Sequence, residues 1–200
     1  MMDDTTLAAG HTCLVPLVAD EDFSPAFKQS AERVSKRVGM TANNVRAMAN
    51  SPELGATMRK FLDDVWDHGA LPKPLKALIR HKVSNINACL YCSAHQIRVM
   101  VSQGVAQDKI DNMHDYRTHS AFSEKERAIL GYAEALTVDA GNIPDDVVGP
   151  FAELLTEQER VEVTIVAAAM GLLNKLNDGL RVPLEQPMLE IARTISFTKD

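Results

Sequence analysis

Apolar residues recur every three to four positions along most of the chain, and nowhere do they alternate with polar ones over the length of a strand. The pattern predicts an all-α protein. Residues 1–22, with Pro16, read as an irregular arm, and residues 23–200 as a single helical domain. Ser24-Pro25 opens a helix that should stop near Gly39. Thr41 is placed to cap a short helix over 42–50. Ser51-Pro52 starts another that runs to Gly69, with Leu54, Met58, Phe61, Leu62 and Val65 on one apolar face. The next is helical from about Pro74. Asn87 is placed to cap a helix from Ala88 to the stop at Gly104. Residues 107–121 read as a short helix and a loop. Ser123 with Glu126, and Thr156 with Glu159, have the spacing of capping boxes. The second of these opens a long apolar helix, after which Pro183 and Pro187 mark a looser tail.

A weak internal repeat accompanies this pattern. An offset of 85 carries Cys89 and Cys92 onto Asn174 and Asn177, and Leu78, Val83 and Tyr91 onto Val163, Ala168 and Leu176. It predicts two related helix hairpins about a pseudo-two-fold axis, only one of them bearing thiols.

Composition narrows the function more than the fold. Apolar residues make up 46% and charged residues 24%, and the net charge is −6. No basic cluster marks a nucleic-acid surface. No apolar run reaches the roughly 18 residues of a membrane span, and the acidic start lacks a signal pattern. A cytoplasmic protein is expected, in which cysteines stay reduced unless they do chemistry.

The chemistry concentrates in "NINACLYCSAHQIRVM", residues 85–100, where Cys89, Cys92 and His95 are spaced by three and three. On a helix these three share one face. Free N–H groups at a helix start, and a histidine one turn on, both favour a thiolate. Two adjacent thiols permit attack on a peroxide, then condensation of the sulfenic acid to a disulfide. The same residues also suit a buried helix face, cysteine being among the most buried types. A zinc site needs further ligands. Cys13 is isolated, and His68, His81, His114 and His119 have no convincing spacing. No metal or other cofactor is expected.

"NACLYCSAH", preceded by "LKALIRHKVS", resembles the alkylhydroperoxidase D-like / carboxymuconolactone decarboxylase family. "NNVRAMANSPEL", "FSEKERAIL" and "LLNKLNDGLRVPLE" extend the resemblance over residues 24–186, toward a peroxidase-related branch. It implies an all-α fold, homo-oligomers such as trimers or hexamers, and thiol-dependent reduction of a hydroperoxide with electrons from a dithiol partner. Members without the cysteines include decarboxylases, so a lyase acting on a small organic acid, or a binding protein on the same scaffold, are the alternatives. The resemblance makes Cys92 the attacking thiol, Cys89 the resolving one and His95 the proton acceptor. The helix dipole alone would favour Cys89. His95 follows Cys92 by three residues rather than the four of better-known members, a spacing shared within the branch. The family's glutamate twelve residues before the first cysteine is Ala77 here. The offset of 85 places Glu162 at the related position. Glu162 is therefore expected to approach the thiols, in its own subunit or across an interface, with burial raising its pKa. His81, eight residues before Cys89, is a further candidate. Asn174, Asn177 and Asp178 are polar positions in an apolar helix that need hydrogen-bond partners.

Overall fold

The structure, a computed structural model, describes residues 12–197. Among them the regular structure is helical, with no strand. The α-helices are α1 (Pro25–Val38), α2 (Asn43–Met48), α3 (Pro52–Asp67), α4 (Lys73–Ile86), α5 (Leu90–Ser102), α6 (Gln107–Asp111), α7 (Glu124–Val138), α8 (Asp145–Leu154), α9 (Glu157–Gly179) and α10 (Leu189–Arg193). α4 and α5 form a tight antiparallel hairpin, and α9 lies across it, packed also on α3, α7 and α8. The main core fills this junction, with Leu62, Ile79, Val83, Ile129, Val163 and Met170 buried together.

Local chemistry explains most of the boundaries. Ser24 accepts from Phe27 N, and both capping boxes close, Ser123 with Glu126 and Thr156 with Glu159. Asn87 does not cap α5. It ends α4, and the N-cap of α5 is Cys89 itself, whose sulfur accepts from Cys92 N. Thr41 does not cap α2 either, because its hydroxyl donates to Asp20 Oδ2. The arm is tied to the body through Leu14 N to Leu180 O and Val18 N to Arg46 O.

The structure departs from the pattern in three places. α8 was not anticipated, since Gly149 and Pro150 interrupt its pattern. It holds because Phe151 is buried and stacks on Tyr132, with ring centroids 3.7 Å apart. The apolar stripe of α3 divides: Leu62 is buried and Met58 and Val65 pack on the core, while Leu54 and Phe61 are 73% and 45% exposed, and the buried face also carries Arg59, Asp63 and Trp66. The second hairpin is absent. Its segment lies mostly in α9, one unbroken 23-residue helix. The first hairpin reverses at Ala88, held in the left-handed region at φ 51°, with Cys89 N donating back to Ser84 O. The corresponding Leu173 simply continues α9.

Candidate active site

The reversal at Ala88 sets the two thiols at the start of α5, beneath α9. Both are free thiols and both are buried. Cys92 N points at Cys89 Sγ, 3.4 Å away. Asn177 on α9 donates to Cys92 Sγ at 3.1 Å. The offset of 85 that relates these two residues in sequence thus brings them into contact in space. Asn174 accepts from Asn87 Nδ2 at 2.8 Å and donates to Ser84 Oγ at 3.3 Å, which fastens α9 to the turn beside the thiols.

The two sulfurs are not equivalent. Cys92 lines a cavity of about 60 Å³, and Cys89 does not. The hydrogen bond with Cys92 and burial push the Cys89 thiol well up, and these outweigh the lowering effect of Cys92 N at the helix start. Cys89 is therefore the thiol held protonated, contrary to what the helix dipole alone suggests.

His95 lines the same cavity, and its carboxylate partner is Glu185, in the segment between Pro183 and Pro187. Nε2 of His95 lies 2.8 Å from Glu185 Oε2. The other carboxylate oxygen accepts from Tyr91 OH at 2.8 Å and from Asn43 N at the start of α2. Burial alone would raise the pKa of Glu185. The hydrogen bond and charge of His95, with the bonds from Asn43 N and Tyr91, outweigh it and hold the carboxyl below its usual range. An ionised carboxylate only accepts, so Nε2 of His95 must carry a proton, leaving Nδ1 as the basic nitrogen. Tyr91, whose ring packs on His95 at 4.6 Å with a tilt of 35°, is kept neutral well above its usual pKa, by burial and then by the Glu185 charge.

Glu162 goes elsewhere in its own chain. Its oxygens accept from Ala70 N (2.7 Å), Leu71 N (2.9 Å) and Gln158 Nε2 (3.0 Å). Burial would raise its pKa, but the bonds from Ala70 N and Leu71 N dominate and lower it, the reverse of the expectation. The carboxylate seats the loop that enters α4. Gly69, at φ 103°, allows the approach: a Cβ there would lie 2.5 Å from Glu162 Oε2. His81 is buried, but its ring nitrogen Nε2 pairs with Asn85 Nδ2 at 3.0 Å, and Asn85 Oδ1 accepts from Ser93 Oγ at 2.8 Å. This chain ties α4 to α5 and does not reach the cavity. Burial, then Lys82 and His114, lower the His81 pKa to about 4, so it is neutral at pH 7. The carboxylate on Cys89 is Asp178, and the one on His95 is Glu185, which sequence reasoning missed. The signal was slight: Glu185 is the last residue of "LLNKLNDGLRVPLE".

Residues 52–135, which contain α3 to α6, most of α7 and both thiols, match the carboxymuconolactone decarboxylase family. Over that segment the chain is similar to the family. Its fold is the alkylhydroperoxidase D-like one. It is similar to an uncharacterized peroxidase-related protein from Ralstonia eutropha JMP134, described as an alkylhydroperoxidase AhpD core. The TM-score is 0.78 at 17% identity, over 94% of this chain and 100% of that one. It is also similar to a cysteine-to-alanine variant of the debrominase Bmp8 in complex with 2,3,4-tribromopyrrole. There the TM-score is 0.84 at 20% identity, over 93% and 98% of the two chains. The uncharacterized protein YnjA of Escherichia coli (strain K12) is 22% identical over 111 residues, 56% of this chain and 61% of that relative's length. Among the described residues no group of three His, Cys, Asp or Glu side chains is arranged to hold a metal ion. No helix among them is long and apolar enough to cross a membrane.

Proposed function

We propose that the protein is a thiol-dependent hydroperoxide reductase that cycles between the Cys89–Cys92 dithiol and its disulfide. The observation that carries this reading is the asymmetry of the pair. Cys92 lies on the cavity wall with His95, while Cys89 is sealed behind it and held protonated. The cycle begins when Cys92 gives its proton to Nδ1 of His95. The thiolate attacks the distal oxygen of ROOH, the O–O bond breaks, and the proton passes to the departing alkoxide. The products are ROH and a Cys92 sulfenic acid. The sulfur of Cys89 then displaces hydroxide from that sulfenic acid. Its proton leaves with the hydroxide as water, and a disulfide remains. A dithiol partner reduces the disulfide by exchange and restores both thiols. Glu185 acts through His95 as a positioning residue: it fixes the ring and keeps Nδ1 basic.

Action in the cytoplasm and assembly as a homo-oligomer, a trimer or hexamer, belong to the same reading. Two exposed apolar stripes support assembly: Leu54 and Phe61 on α3, and Val161, Ile165 and Leu172 on the neighbouring α9.

Counting free thiols before and after one equivalent of hydrogen peroxide tests the proposal. Cys89 and Cys92 should be lost together, with Cys13 retained. Loss of Cys92 alone, or of neither, would count against it. The likeness to a debrominase favours one second reading, attack of the same thiolate on the halogen of an organohalide. The carbon would take a proton, and Cys89 would displace halide from the sulfenyl halide to give the same disulfide. Halide release from a bromopyrrole, without peroxide, separates the two.

A further inference from the structure

The cavity over Cys92 is unlike a pocket for a neutral molecule. A single water needs roughly 10–15 Å³ on the same measure, so about 60 Å³ holds a handful of non-hydrogen atoms in reach of every wall. One part of the wall is apolar, from Val34, Trp66, Val99, Met170 and Leu173. Two guanidinium side chains, Arg59 and Arg80, also line it. Among the described residues no carboxylate does. Arg59 is buried and oriented by an ion pair with Asp63 at 2.9 Å on the same helix. The Arg80 guanidinium lies over Trp66, with its central carbon 4.1 Å from the ring centroid.

A second, independent feature points to a ligand. Asn44 Oδ1, Gln96 Oε1 and Asn177 Oδ1 are buried without a hydrogen-bond partner, and all three residues line this cavity at 7%, 3% and 1% exposure. Each such acceptor stays unsatisfied, and destabilising, unless something in the cavity donates to it. Asn177 is the most informative. Its Nδ2 is committed to Cys92 Sγ, so its oxygen is fixed beside the sulfur as an acceptor.

We infer that the cavity selects a small organic anion, its carboxylate held by Arg59 and Arg80, its reactive end directed to Cys92 by Asn177. Resting on the reductase reading, the substrate class is a short hydroperoxide bearing a carboxylate. The terminal O–H donates to Asn177 Oδ1, which presents the distal oxygen to the sulfur. The carbon body lies on the Trp66–Met170–Leu173 wall. A neutral hydroperoxide of equal size lacks the guanidinium contacts.

Iodoacetate and iodoacetamide are matched in size and differ in charge, and both alkylate thiols without any peroxide chemistry. The rate constants for Cys92 are measured by mass spectrometry on the intact protein, and again on the urea-unfolded chain as the reference. The ratio of iodoacetate to iodoacetamide should be at least about 10-fold higher in the folded protein. It should fall toward the reference in Arg80→Gln and be partly retained in Arg80→Lys, with helical circular dichroism unchanged. A wild-type ratio at or below the unfolded one overturns the proposal, whether or not the variants fold. So does a folded Cys92 that resists both reagents. A raised ratio without peroxide turnover would leave the anion site standing and remove the reductase reading. Peroxide turnover with an unraised ratio would do the opposite.

Discussion

Glu185→Gln is the substitution that isolates the proton chemistry. The carboxylate accepts two bonds on Oε1, from Tyr91 OH and Asn43 N, and one on Oε2, from His95 Nε2. Glutamine keeps an oxygen for the first two. It replaces the second oxygen with an amide N–H₂, which only donates. His95 must then present Nε2 as an acceptor, which moves its proton to Nδ1 and removes the basic nitrogen. The structural loss is one charge-assisted hydrogen bond exchanged for a neutral one, about 1–2 kcal/mol. The catalytic loss is general-base assistance, roughly 10²-fold or more in peroxide turnover. Stopped-flow peroxide consumption and urea denaturation measure the two separately. The wild type should also lose turnover as pH falls below the usual glutamate range, because Glu185 is held low and protonates last. The variant should lack that limb. Turnover within a few-fold of wild type, at a similar urea midpoint, would refute the assignment of Glu185 and the tautomer argument with it.

Three further outcomes follow from other parts of the fold. Glu162→Gln should leave peroxide turnover nearly unchanged and cost about 0.5–2 kcal/mol by denaturation, as loss of a helix-entry carboxylate does. A 10²-fold loss of turnover would instead bring Glu162 to the thiols across an interface. His81, with a folded pKa of about 4 against 6.5, binds its proton less readily than the unfolded chain does. Stability is therefore complete above pH 6.5 and falls with pH, by about 2 kcal/mol between 6.5 and 5. His81→Gln should flatten that slope, and an unchanged slope would rule His81 out as its source. Ile165→Asp should shift light scattering toward the 21.9 kDa monomer, and a wild type that is already monomeric at micromolar concentration would refute assembly through this face.

Much of the fold was legible because local chemistry set it. Both capping boxes, the Ser24 cap and the stop before Gly39 are decided within a few residues, and the structure has them where the sequence put them. What depended on distant contacts was not legible. α8 survives its Gly149-Pro150 interruption through the stacking of Phe151 on Tyr132, nineteen residues back. The α3 stripe gave a helix correctly but not which part of it is covered: Leu62 is buried while Leu54 and Phe61 stay exposed. At the site, the spacing of Cys89, Cys92 and His95 was enough to place them together. Glu185 was not, because its partners lie 90 and 94 residues earlier. Glu162 sits away from the thiols in its own chain for a related reason. A repeat that related sequence positions did not carry the helix-hairpin geometry, and nearby backbone N–H groups at residues 70 and 71 claimed the carboxylate first.

The central claim is that Cys92 attacks and Cys89 resolves. Stopped-flow consumption of a hydroperoxide by Cys92→Ser and Cys89→Ser, in single turnover without a reductant, tests it most directly. Cys92→Ser should consume no peroxide above the buffer rate. Cys89→Ser should consume one equivalent and hold a Cys92 sulfenic acid that dimedone traps. Consumption by Cys92→Ser with the sulfenic acid on Cys89 would reverse the order, and undiminished consumption by both would contradict the account.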